Sequence, residues 1–386
     1  MPTPEKFAFR ITPRRLLISL LVTIIPLSLA GFYVSARSDK ALSDAIGGQF
    51  QTLAETSAAA VSNFIHDRVI DVGVMASSPL VIDAVTASNR SYGGADDNAA
   101  RAAIQKIDRT WATPAAAPLV NRIITSPAAK VLIKYRELDP KILRITVTDE
   151  HGATVAASHK TLDYFQADEE YWQNIYAEGR GSVSLTDVLY DEVTKASYVG
   201  VGVPVMEEGT NRFIGTVDAL IDVTTMFQTV RLGSSLDGNR TMLVKADGTI
   251  IAGPQITLSM NRKSNEYAAL LEARALEEPA GYVIASVTNA PRSLIAFSDT
   301  GLKRDYQKLD WAVLVAQDVQ HALAPVRSVT RLIAFLSLIA LAGVTLLAAY
   351  IAMHHTLKFD ELGELRRGAA GSPSAAASEG PMARRV

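Results

Sequence analysis

Eight aromatic and acidic side chains, Tyr164, Tyr171, Trp172, Asp187, Tyr190, Asp191, Tyr198 and Asp218, fall within about 55 residues of one another. Aromatic faces attract cations and stack on polyhydroxylated molecules, and carboxylates accept hydrogen bonds from ammonium and hydroxyl groups. Such a cluster suits a small cationic or polyhydroxylated ligand. Each residue also has a structural use. Trp172 can pack a helix onto a sheet, and Asp187 and Asp191 can sit in turns. Asp218 stands apart because it interrupts an otherwise apolar strand, although a solvent-facing position would account for it.

Catalytic arrangements are missing. The six histidines, His66, His151, His159, His321, His354 and His355, are too scattered for a metal cluster or a triad. No Gly-rich phosphate loop, Walker lysine or G-x-S-x-G elbow occurs. The carboxylate pairs Glu169-Glu170 and Glu207-Glu208 are adjacent, so they point apart. There is no cysteine, which excludes disulfides, thiolate metal sites and cysteine nucleophiles. A non-enzymatic protein without metal or cofactor is expected. A net charge of -2, from 38 basic and 40 acidic residues, offers no electrostatic invitation to nucleic acid.

The binding residues need a scaffold, and hydropathy periods supply one. Ile46, Phe50, Leu53, Ser57, Val61, Phe64, Arg68, Val72 and Met75 recur at spacings of three and four, the signature of one long helix with a single apolar stripe. Pro79 ends or kinks it. Shorter helices are expected over Asp96–Trp111 and Leu119–Leu138, with an Ala/Pro break at Thr113–Pro118. The period then changes. Arg144–Thr148, a turn at Asp149–Gly152 and Ala153–Ala157 read as a hairpin, followed by a helix at Asp168–Glu178. Strands are expected at Ser182–Leu189, Ser197–Met206 and Phe213–Ile221. The same grammar recurs at Thr241–Lys245, Ala246–Gly248 and Thr249–Ala252. A helix at Asn265–Glu277 and strands at Gly281–Val287, Ser293–Ser298 and Trp311–Ala316 complete a second unit. An α+β architecture of two tandem modules on one long helix follows.

Two uncharged apolar runs flank this region, at 16–36 and 332–353. Each is long enough as a helix to cross a hydrocarbon core. Lys6, Arg10, Arg14 and Arg15 precede the first run, and Lys358, Arg366 and Arg367 follow the second. The basic-residue bias places residues 1–15 and 354–386 in the cytoplasm and 37–330 outside the membrane. Val34-Ser35-Ala36 resembles a cleavage site, but the run exceeds a usual signal core, so an uncleaved anchor is expected. A multi-pass protein of the bacterial cytoplasmic membrane, in contact with the lipid bilayer, is implied. Residues 368–386, rich in Ala, Gly and Ser, are expected to be disordered.

The fragments VTDEHGATVAAS (147–158), DYFQADEEYWQNIYAEGRGSVSLTDVLYDE (163–192), VGVPV (201–205), FIGTVDALIDVTTMF (213–227) and VKADGTIIAG (244–253) stand in an order that resembles the double Cache domain. This is the extracytoplasmic sensor of bacterial chemoreceptors and sensor kinases. The resemblance implies two stacked PAS-like modules, distal at about 142–223 and proximal at about 240–318. It further implies a ligand pocket in the distal module, and a homodimer. FDELGELRR (359–367) resembles the start of a HAMP linker. The resemblance therefore implies a sensor that binds an unidentified small molecule and signals through a separate cytoplasmic protein. A receptor lacking its output domain and an envelope protein-interaction module are the alternatives. The family's amino-acid sensors carry an Arg two residues before the matching Trp, where this chain has Glu170. Gln173, Leu189 and Leu220 replace three further motif positions. Amino-acid binding is accordingly not expected.

Overall fold

The computed structural model describes residues 13–322, apart from 95, 192–194, 225, 227–238 and 255, and scattered positions between 335 and 350. Two compact units form, one of Asp44–Ala322 and one of Met1–Ser43 with Leu323–Val386. In the second unit, most side chains of the first apolar run and most of the second run lie outside the described residues, as do the HAMP-like segment and the tail. Among the described residues no single helix is long and apolar enough to cross a membrane.

Helix α1 (Pro13–Ala76) is the expected spine. Its fully buried line runs through Phe50, Ala54, Ala58, Val61, Ile65, Val72 and Met75. Leu53, Ser57 and Phe64, expected on that line, are half-buried at its edge. Arg68, the charge on the stripe, pairs with Asp71 at 3.1 Å and with Asp139, and it lies over the Phe64 ring. Pro79 does more than stop the spine. It opens α2 (Pro79–Ser91), bent by 59° from α1, because the first position of a helix needs no N–H donor. Val81 and Val85 of this unforeseen helix are fully buried.

Three further helices cap this end of the unit: α3 (Asp97–Asp108), α4 (Ala117–Thr125) and α5 (Pro127–Leu138). The single helix expected over 119–138 is divided at Ser126. Pro127 removes a donor and holds Ser126 extended, and the Ser126 hydroxyl caps α5 by accepting the Ala129 N–H at 3.1 Å.

The distal sheet contains β1 (Ile142–Asp149), β2 (Thr154–Ala157), β3 (Ser184–Leu185), β4 (Leu189–Asp191), β5 (Ala196–Met206) and β6 (Phe213–Asp222). Its order is β2-β1-β6-β5-β3, with β4 also on β5, and its pairs are antiparallel. Helix α6 (Glu170–Tyr176) lies across it. The proximal sheet has the order β10-β11-β12-β7-β8-β9. Its members are β7 (Arg240–Lys245), β8 (Ile250–Gly253), β9 (Ile256–Thr257), β10 (Ala280–Ala285), β11 (Ser293–Asp299) and β12 (Trp311–Asp318). Helix α7 (Asn265–Glu272) packs on it, and α8 (Val319–Ala322) continues from β12. The repeated turn grammar has a common cause. Asp149 Oδ1 accepts the His151 and Ala153 N–H groups, Asp247 Oδ1 accepts that of Thr249, and Gly152 and Gly248 take positive φ.

Strand alternation divides the distal sheet into two faces. Ile145, Val147, Val199, Val201, Val217, Ala219 and Ile221 join α1 and α2 in the main core, which also takes in Trp311 and Val313 of the proximal sheet. Arg144, Thr146, Thr148, Thr216, Asp218 and Leu220 alternate with them on the opposite face. Phe50 and Ala54 of α1 pack on Leu294, Ala296 and Val315, so the spine serves both sheets.

Candidate functional site

The polar face of the distal sheet closes only partly. Register sets Arg144 opposite Leu220 and Thr146 opposite Asp218 on β1 and β6, and Gly202 opposite Asp218 and Gly200 opposite Leu220 on β5. At one end α6 fills the space, and Ile175 occupies the room left by the missing side chain of Gly202. At the other end the sheet stays uncovered by helix. A cavity of about 320 Å³ remains there, floored by Thr146, Asp218 and Leu220, with Tyr198, Thr186 and Leu189 on one side. The segment from His159 to Gln166, with Glu169 and Tyr171, forms the other side, and Arg144 stands at the mouth.

That second wall is tied together by hydrogen bonds. The Tyr171 hydroxyl donates to Gln166 Oε1 at 2.5 Å, and the Gln166 amide donates to the Asp163 carboxylate and, at 3.1 Å, to its carbonyl. The Thr161 hydroxyl donates to the same carbonyl at 2.6 Å. A chain of fixed donors and acceptors thus lines the hollow before any ligand arrives.

Its electrostatics are dominated by acids. Burial pushes the Asp218 carboxyl up to about 7, with Arg144 opposing. Asp163 is raised by burial and by the charges of Asp108 and Asp168, and Glu169 by burial and by Asp163 and Asp168. Burial, reinforced by Arg144 and Arg136, lowers the His159 imidazole to about 4, so it is neutral at pH 7. Three carboxyls and one guanidinium share a small space, and the Asp163 charge is part of what holds the Glu169 carboxyl above its ordinary range. A positive group entering there relieves that repulsion.

Of the eight residues singled out from the sequence, the structure brings Tyr171, Tyr198 and Asp218 to the cavity. Asp218 is half-buried in the floor, not solvent-facing at the surface. Trp172 is placed in the core instead. It stacks on Tyr176 with centroids 5.0 Å apart, and its indole N–H donates to Thr148 Oγ1 at 2.8 Å. Tyr164 is likewise buried, against Trp111 at 5.3 Å. Asp187 turns away from the cavity to Lys245 and Trp311 of the proximal sheet. Tyr190 and Asp191 are half-buried on the outer strand β4, paired in register with Ser197 and Ala196, and do not line the hollow.

Arg144, His159, Asp163, Gln166, Glu169 and Thr186 line it without having been singled out. Arg144 carried a usable signal, a charge in an alternating strand, as Asp218 did. The loop residues carried none, because a loop has no period. A second hollow of about 340 Å³, in the proximal module, is lined by Tyr267, Phe297 and Trp311 together with Glu277, Glu278, Asp299 and Asp310. Among the described residues no group of three or more His, Asp or Glu side chains is arranged to hold a metal ion.

No curated protein sequence matches the chain. Among solved structures it is similar to the sensory domain of the Campylobacter jejuni chemoreceptor Tlp3 with isoleucine bound, at 13% identity and a TM-score of 0.48, covering 74% of this chain and 97% of that one. It is also similar to the ligand-binding domain of the Pseudomonas fluorescens chemoreceptor CtaA in complex with L-leucine, at 13% identity and a TM-score of 0.45, covering 74% and 99%. The ligand-binding domain of the Pseudomonas aeruginosa PAO1 amino acid chemoreceptor PctB, in complex with L-Arg, matches at 16% identity and a TM-score of 0.45, covering 73% and 98%. A sequence model described as the Cache domain matches residues 38–326, well over half of the chain. With that match, on the two-sheet fold and spine described above, the chain belongs to the Cache domain family.

Proposed function

We propose that this protein is a membrane-bound receptor whose distal cavity takes a small organic cation and whose occupancy is passed across the membrane to a separate signalling partner. One observation carries the ligand class: Asp163, Glu169 and Asp218 converge on a cavity also lined by Tyr171 and Tyr198, with Arg144 as the one fixed positive charge among its lining residues. An ammonium group there gains carboxylate hydrogen bonds and aromatic faces together. Membrane insertion of α1 is supported by Ile18, Val22 and Ile25, large apolar side chains at spacings of four and three that are 53%, 68% and 51% exposed. Pairing with a second copy is supported by Ile70 and Val74, one turn apart on the spine and also exposed. Arg144 favours a second reading, in which the ligand carries an acidic group as well as an ammonium.

The test uses the full chain in lipid nanodiscs, with thermal shift against putrescine, ethanolamine, choline, lysine, glucose and succinate. A ligand at 100 times its Kd adds about 2.7 kcal/mol of stability. Putrescine or another simple cation should stabilise the wild type, and Asp163→Asn combined with Asp218→Asn should abolish that shift. A shift given by lysine alone and lost in Arg144→Gln selects the second reading. A response to succinate or glucose but to none of the cations sinks the cation reading.

A further inference from the structure

Two carboxylates stand one residue outside the cavity wall and reach the proximal module, Asp187 its sheet and Glu170 the loop before β12. Asp187 follows the wall residue Thr186. One of its oxygens accepts the Trp311 indole N–H at 3.0 Å and the other meets the Lys245 ammonium at 2.6 Å. Glu170, between wall residues Glu169 and Tyr171, meets Lys308 at 2.5 Å.

Their settings decide which of them transmits force. Glu170 and Lys308 are 80% and 44% exposed, so water screens the pair and either side chain can swing free. Asp187 and Lys245 are 34% and 22% exposed, and the Trp311 ring is sealed in the core. Lys245 and Trp311 are also direct register partners on β7 and β12. Asp187 therefore grips a cross-strand pair, one stiff point of the proximal sheet. Its own backbone is equally anchored. Thr186 exchanges hydrogen bonds with Gly200 of β5, through its N–H at 3.0 Å and its Oγ1 at 2.7 Å, and Leu189 pairs with Tyr198. Strand β12 then leads without a break into α8.

We propose that Asp187 is a positioning residue that couples occupancy of the distal cavity to strand β12 by holding the Lys245–Trp311 pair. This rests on the cavity being the ligand site. A ligand that favours one position of Thr186 and Leu189 over another shifts Asp187 with them, and the shift reaches β12 as a change at the Trp311 indole.

The chain has three tryptophans, so indole ¹⁵N labelling gives three resonances. Trp111, whose N–H donates to the wall residue Thr161 at 3.0 Å, reports on the cavity itself, and Trp172, bonded to Thr148, is the internal reference. The full chain in nanodiscs is titrated with putrescine while calorimetric heat and the Trp311 indole N–H resonance are followed. In the wild type, heat and a putrescine-induced Trp311 shift are expected together. Asp187→Ala should still release heat but lose the induced shift, and Glu170→Gln should keep both. Lys245→Met removes the ammonium that holds the other Asp187 oxygen, should diminish the induced shift, and replaces Asp187→Ala should that variant not fold. A purely structural role would lower the melting temperature without separating binding from the shift. Heat with an unmoved Trp311 signal in the wild type, or an undiminished shift in the clamp variants, overturns the coupling and leaves the site reading standing. No heat in the wild type with putrescine, nor with ethanolamine or choline in its place, overturns the site reading and the coupling with it.

Discussion

Asp218 and His159 face one cavity and are displaced by the same cause, burial, in opposite directions. Asp218 moves from its ordinary 3.8 up to about 7, so its contribution to stability is full below about pH 4 and lost as pH rises to 7. His159 moves from 6.5 down to about 4, so its contribution is full above pH 6.5 and lost as pH falls to 4. Between pH 4 and 6.5 the two slopes oppose each other, and these two contributions largely cancel. Asp218→Asn removes one slope. It should raise stability at pH 8 by about 2 kcal/mol, roughly half the value that 1.36 kcal/mol per pH unit gives, because the cavity admits water. Acidification from pH 6.5 to 4 should then destabilise the variant. Chemical denaturation at pH 4.5, 6.5 and 8 measures this, and parallel profiles for wild type and variant would dismiss it. Side-chain type alone pointed to Asp218 but misplaced Trp172. Indole and phenol groups serve a core as well as a pocket once their polar atom finds a partner, and the Thr148 hydroxyl that satisfies Trp172 is 24 residues away in the chain.

At the scale of elements, the cavity exists because α6 covers only part of the sheet, and its place is set by Gly202. A Cβ there would overlap Ile175 Cδ1 and would stand 3.3 Å from the Ser184 carbonyl oxygen. Gly202→Ala should therefore cost about 1–3 kcal/mol by overpacking, and much less in an Ile175→Ala background, where the offending methyl is gone. A double-mutant cycle by urea denaturation checks it, with additive costs as the outcome that refutes the contact. Strands and the spine were legible because burial on one face writes a period of two or 3.6 into the sequence. Helix α2 was not, since a proline that can start a helix reads equally well as one that ends it. The break at Ser126 was missed for the related reason that the apolar pattern of α4 and α5 continues across Pro127.

For the whole molecule, the proposed arrangement about the membrane rests on charge and hydropathy, which local geometry does not encode. Basic residues cluster before the first apolar run and after the second, and a bilayer orients such chains with those flanks on the cytoplasmic side. The Cache region should then be reachable from outside an intact cell, while 354–386 should not. Absence of native cysteine makes this directly measurable, because any introduced thiol is the sole site of labelling. Leu138 closes α5 and is 71% exposed, so Leu138→Cys presents a thiol to solvent without opening the core. A membrane-impermeant maleimide should label Leu138→Cys in spheroplasts before lysis and Ser374→Cys only after it. The opposite order would place the cavity in the cytoplasm and end the receptor reading. Labelling of both before lysis would mean that one apolar run does not cross. A cation sensor of the external medium requires the first pattern, because its Asp163, Glu169 and Asp218 must equilibrate with solutes that the membrane excludes.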